Sequence, residues 1–206
     1  MTSAPLRPRE RDRWIADLQY LNLAEMRAVC RAHDLPLHIC LERPDGTLRQ
    51  SKDRDRKDIV LARIAEYAFT GRRPPPTVYA QQVVAEIPLP EKLSSRTRIR
   101  YGQYEKHNPH FLATMERLTD GAFRTGMIAR LVLRDFWTAG EAPTLRQFAD
   151  EWLRATSAHQ SPRPEGAYLV DLARGEGGPG WKERRVERAE EALRVFEALT
   201  RGHPAT

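Results

Sequence analysis

Lysine is scarce in this 206-residue chain. Of 34 basic residues only Lys52, Lys57, Lys92, Lys106 and Lys182 are lysines; the rest are arginines. Arg suits bidentate phosphate contacts, although genome base composition produces the same skew. Cysteine is scarcer still, with two residues. That excludes a disulfide framework and makes reduced thiols in a cytoplasm the expectation. No apolar run reaches the roughly 18 residues of a membrane helix. The opening MTSAPLRPRERDRW lacks an apolar signal core, so secretion is not expected. A phosphate-cradling glycine loop is also missing. The glycines of GEGGPG follow a predicted helical element, include Pro179 and lack a following Lys-Ser/Thr pair. No Ser/His/Asp nucleophile set and no paired catalytic carboxylates stand out. The expectation is therefore a non-enzymatic protein with no catalytic residues, no cofactor and no metal.

What the chain does have is helical periodicity interrupted by one alternating stretch. Trp14, Leu18 and Leu21 recur at helical spacing over 10–20. Asn22 precedes a second helix, and Glu25 stands where a capping box needs it. In LHICLERPDGTLRQS, Leu37, Ile39 and Leu41 alternate with polar positions, and Pro44-Asp45-Gly46 signals a turn. A β-hairpin is predicted, its second strand over 47–51. A third helix follows from Asp55 and ends at Thr70-Gly71. Five of the fifteen prolines fall between Arg72 and Pro90, which reads as a stiff linker with a short strand over 82–87. Helices are then predicted from Asn108-Pro109, over 122–137, from the Thr144/Gln147 capping box, and over 181–199. A weaker element is expected at 167–173. The resulting division is a tail at 1–9, a head at 10–71, a linker at 72–95 and a helical domain at 96–206.

Two stretches concentrate positive charge. Residues 43–63 carry Arg43, Arg49, Lys52, Arg54, Arg56, Lys57 and Arg63 against four aspartates, net +3. They surround a helix start, which supplies free N–H groups and partial positive charge suited to phosphate. The stretch SSRTRIRYGQYEKH, with Lys92 just before it, sets Lys92, Arg96, Arg98, Arg100 and Lys106 against Glu105 alone, net +4. In an extended strand Arg96, Arg98 and Arg100 would share one side, with Tyr101 and Tyr104 beside them for stacking on bases. The competing reading is a solvated charged turn and a cationic linker.

Other constellations are weaker. Cys30, His33, His38 and Cys40 are zinc-ligand types, but the spacing is too tight for separated knuckles, and Cys30 fits a buried helix face. His107 and His110 flank the Asn108-Pro109 cap, which explains them without a metal. Residues 138–155 resemble half of a helix-turn-helix, but the next segment, PEGAYLVDLARG, is acidic where a groove-reading helix should be basic. Arg184, Arg185 and Arg188 are expected to form exposed ion pairs with neighbouring glutamates on the last helix. Its Val186, Leu193 and Phe196 form an apolar seam that would suit a protein partner.

The order LNLAEMRAVCRAHDLPL followed by RKDIVLARI resembles a SAP domain, a small helix–extended–helix module. Lys57, Val60, Arg63 and Ile64 occupy places comparable to its basic and apolar positions. The resemblance covers about a fifth of the chain and departs from the family at Leu37–Ser51, where a hairpin replaces a short Gly-containing connection. The whole chain also resembles bacterial proteins that join a SAP-like head to a helical segment. The resemblance implies DNA binding, or RNA binding, through phosphates. The expected fold is mainly α: a SAP-like head with an inserted β-hairpin, a proline-rich linker, and a helical C-terminal domain. Two other functions stay open. One is a regulatory subunit that docks a protein partner through its C-terminal helices. The other is a small nuclease using Arg100 and His107, which are similar to the Arg–His pair of HEPN-type ribonucleases; Tyr101, Gly102 and Pro109 interrupt the helix that pair occupies there.

Overall fold

The computed structural model describes residues 6–158 and 180–203. Among them the chain is mainly α. It forms helices α1 (Pro8–Leu18), α2 (Leu23–Ala32), α3 (Lys57–Thr70), α4 (Pro109–Leu118), α5 (Met127–Thr138), α6 (Leu145–Ala158) and α7 (Trp181–Thr200). Strands β1 (His38–Glu42), β2 (Leu48–Arg54) and β3 (Val78–Tyr79) make one sheet in the order β2-β1-β3.

Local chemistry sets the element boundaries. The Asn22 side chain accepts from Ala24 N and Glu25 N, while Glu25 accepts from Asn22 N, completing the expected box. Asn108 caps α4 by accepting from Phe111 N at 3.0 Å. Thr144 and Gln147 exchange the equivalent bonds at the start of α6. Helix α3 ends at Gly71, whose φ of +67° is the left-handed cap that glycine adopts without steric cost. Helix α5 starts at Met127, later than the apolar pattern from Ala122 suggests. The expected element at 167–173 lies outside the described residues.

The chain divides into two compact units, neither continuous in sequence. The first comprises Met1–His38, Asp53–Pro76 and Pro162–Thr206; the second comprises Ile39–Lys52 and Thr77–Ser161. This differs from the contiguous head, linker and C-terminal domain that the sequence suggests, in three ways.

First, the hairpin is not an insertion decorating the head. Its alternation buries Ile39 and Leu41 in the second unit's core with Tyr79, Val83, Ile99 and Phe111. Strand β1 pairs in parallel with β3, with Cys40 opposite Val78 and Leu41 opposite Tyr79. Parallel pairing needs a long crossover between strands, and α3 lies within the stretch that supplies it.

Second, the proline-rich stretch is not a free linker. From Thr77 onward it belongs to the second unit. It forms β3 and a 3₁₀ turn at Gln81–Val83, and Tyr79 and Val83 are fully buried. The anticipated strand over 82–87 reduces to one parallel bridge between Val84 and Tyr101.

Third, α7 belongs with α1, α2 and α3. Ala189, Ala192 and Phe196 are buried beside Trp14, Leu18, Ile64 and Tyr67. The small alanines allow close approach, and Trp14 Nε1 donates to Ala192 O at 2.9 Å. Phe196 meets the His33 ring edge-on at 5.0 Å. Arg185 and Arg188 pair with other helices and not with glutamates of their own. Arg185 binds Glu25 at 2.8 Å, and Arg188 binds Asp17 at 2.8 Å. Most of the expected partner-binding seam is internal as well: Phe196 is buried and Leu193 packs on the same core, leaving Val186 exposed.

Candidate nucleic-acid interface

Burial and pairing sort the predicted basic residues into two groups. At the start of α3 the charges turn inward. Lys57 is buried, and its ammonium donates to Gln19 O. Burial, then Arg185, hold its pKa down to about 8 against the opposing pull of Glu25. Arg63 is buried too. Its Nη1 lies 2.7 Å from Asp55 Oδ2 and donates to Pro36 O at 3.0 Å. Arg56 stands 3.7 Å from Asp58, and Arg54, at the end of β2, is exposed but engaged. The SAP-like Lys57, Val60, Arg63 and Ile64 therefore build the first unit's interior. Lys57 and Arg63 cannot reach a phosphate without leaving it, which corrects the expectation that they bind nucleic acid.

In the second unit the charges point outward. Arg43, Arg49 and Lys52 lie exposed on the hairpin. Its turn is closed by Gly46 N to Arg43 O and by Asp45 Oδ1, which accepts from Thr47 N and Oγ1. Those Thr47 bonds hold the Asp45 carboxyl below its ordinary pKa. The segment 97–101 is extended and stitched on both sides. Tyr101 N donates to Val83 O, Ile99 N to Pro143 O, and Leu145 N to Thr97 O. Ile99 is fully buried between Arg98 and Arg100, so these two arginines start from the same side, with Cα atoms about 6.5 Å apart at strand rise.

Each is fixed by a backbone carbonyl: Arg98 Nη1 donates to Ala142 O at 2.7 Å, and Arg100 Nε to Gln82 O at 3.1 Å. A guanidinium has five N–H donors, so both keep donors while held in place. Arg96 is in a tight turn closed by Thr97 N to Ser94 O, not in the extended segment. That turn is tied to α6 by Arg146 N to Ser95 O, while the Arg146 side chain stands 3.9 Å from Asp150 on its own helix. No ion pair to Arg43, Arg49, Lys52, Arg96, Arg98 or Arg100 occurs among the described residues.

Tyr101 is not a stacking platform. Its ring packs edge-on against Tyr79 at 5.1 Å and Trp137 at 5.5 Å. Tyr104 packs on Phe111 at 5.6 Å, and burial raises its hydroxyl pKa. Lys106 and His107 are exposed in the turn before α4. Arg100 and His107 therefore share no helix, and the arrangement that suggested a ribonuclease pair is not formed.

Among the described residues no three His, Cys, Asp or Glu side chains converge on a metal position. Cys30 lies in the first unit's core, where burial pushes its thiol up to about 11. The two units share the net charge equally. The first holds 20 basic and 17 acidic residues and the second 14 and 11, so each is +3. No described helix is long and apolar enough to cross a membrane. Comparison with protein-family models, curated proteins and solved structures finds no match.

Proposed function

We propose that this is a non-enzymatic nucleic-acid-binding protein that grips phosphates through its second unit. Duplex DNA is the first substrate to test. The observation that carries the reading is the pair Arg98 and Arg100. They start from one side of a pinned segment, are held by backbone carbonyls, and make no ion pair among the described residues. Arg96 in the adjoining turn and Arg43 and Arg49 on the hairpin extend the positive surface. Backbone contacts of this kind give affinity without sequence reading and weaken steeply with salt. The SAP-like helices α2 and α3 serve as scaffold in this reading.

The test is a mobility-shift titration of a duplex at two salt concentrations. It compares the wild-type protein with Arg96→Gln/Arg98→Gln/Arg100→Gln. Binding at low salt that the triple variant loses supports the proposal. No binding at low salt, or binding that the triple variant retains in full, overturns it.

A further inference from the structure

Beside the arginines the second unit holds a depression of about 210 Å³, lined by Leu41, Glu42, Arg43, Arg49, Val84 and Glu86 among others. It is smaller than the roughly 300–1,000 Å³ that accepts a drug-sized ligand. Four charged side chains surround an apolar floor, yet no ion pair joins them among the described residues. Glu42 has a structural duty, because its Oε2 accepts from Gln81 N at 3.1 Å. Glu86 is exposed and makes no such bond among the described residues. The site is continuous with the phosphate-binding surface: Val84 bridges to Tyr101, next to Arg100, which itself donates to Gln82 O.

Two carboxylates inside a basic surface are out of place for holding phosphate, since they repel it. They suit a neutral group that donates hydrogen bonds. Arg43 and Arg49 at the rim suit the phosphates attached to that group. We propose that the depression seats one unstacked pyrimidine base bearing an exocyclic amine, a cytosine, in a single-stranded nucleic acid. The ring lies against Leu41 and Val84, and Glu86 accepts from the N4 amine, the pairing carboxylates make with cytosine elsewhere. The inference rests on the phosphate-binding reading and adds a base preference to it.

The probes are single-stranded dC12 and dU12, which differ along one base edge: cytosine carries an N4 amine and an acceptor N3, uracil an O4 acceptor and an N3–H. Fluorescence anisotropy at low salt is run on the full chain, on Glu86→Gln and on Arg98→Gln. The wild type is expected to bind dC12 about tenfold more tightly than dU12, as one good carboxylate–amine contact allows. In Glu86→Gln that ratio falls to about two or below while dU12 affinity holds or rises, because a repelling charge has gone. Arg98→Gln weakens both probes alike and leaves the ratio intact. Equal affinity for dC12 and dU12 in the wild type, or an unchanged preference in Glu86→Gln, overturns the base site alone. Failure to bind either strand overturns the base site, and the phosphate reading falls with it when the duplex is not bound at low salt either.

Discussion

Replacing Arg63 by Ala separates its internal role from the contact that a SAP-like reading gives it. Its guanidinium sits 2.7 Å from Asp55, and the two side chains are 7% and 2% exposed. Alanine leaves the Asp55 carboxylate buried without this cation and the Pro36 carbonyl without this donor. Breaking such a pair from one side costs about 3–5 kcal/mol. Against a typical domain stability of about 5–15 kcal/mol, that is a large share. With a urea slope near 2 kcal/mol/M, the midpoint of the transition that unfolds the first unit should fall by about 2 M. Urea titration by circular dichroism reads the midpoint, and hydrogen exchange along α3 assigns it to that unit. The double variant Asp55→Leu/Arg63→Met should recover most of the loss, since replacing both partners removes the stranded charge. Duplex affinity, measured where Arg63→Ala is still folded, should stay within about twofold. A midpoint shift under about 0.3 M combined with lost DNA binding would refute this: Arg63 would then face phosphate and not Asp55.

Further outcomes follow from the same geometry. If Arg43, Arg49, Arg96, Arg98 and Arg100 each neutralise one phosphate, log K for duplex binding should fall against log salt with a slope of about −4.5. Removing Arg96, Arg98 and Arg100 together should bring it to about −1.8, read by anisotropy at several salt concentrations. Lys57, with a folded pKa of about 8, lies below its unfolded value. The unfolded chain therefore binds more protons between pH 8 and about 10.4, and stability rises with pH across that window. Lys57→Met should remove this rise, seen in paired denaturation curves at pH 7 and 10. Trp14→Phe removes the indole bond to Ala192 O, a carbonyl already in the α7 ladder, and should cost about 1 kcal/mol, with protection lost in α1 and α7. Asn22→Ala removes two cap bonds and should cost about 1 kcal/mol.

The parts of the fold that the sequence announces are those whose cause is local. Asn22, Asn108 and Thr144 declare helix starts through bonds spanning two or three residues. The hairpin declares itself through Ile39 and Leu41. What the sequence hides is which surfaces meet. Trp14 and Ala192 are 178 residues apart, and nothing in an amphipathic helix names its partner. The basic residues show the same limit. Arg63 and Arg98 look alike in a charge count, but Asp55 and Pro36 neutralise and bury one, while Ala142 O steadies the other at the surface. Tyr101 had the right neighbours for stacking on bases, and Tyr79 and Trp137 took it for the core.

The interleaving of the two units sets an order of assembly. Every segment of the second unit has been synthesised by residue 161, whereas the first still lacks α7, the helix that meets Trp14, Asp17 and Glu25. Domains usually form from the N-terminus as the chain emerges. Here the most N-terminal helix waits longest. Until α7 arrives, α1 to α3 expose the apolar face that Ala189, Ala192 and Phe196 later cover. On the ribosome the unit proposed to hold nucleic acid can therefore be complete first, and the scaffold that contains the chain's beginning closes last.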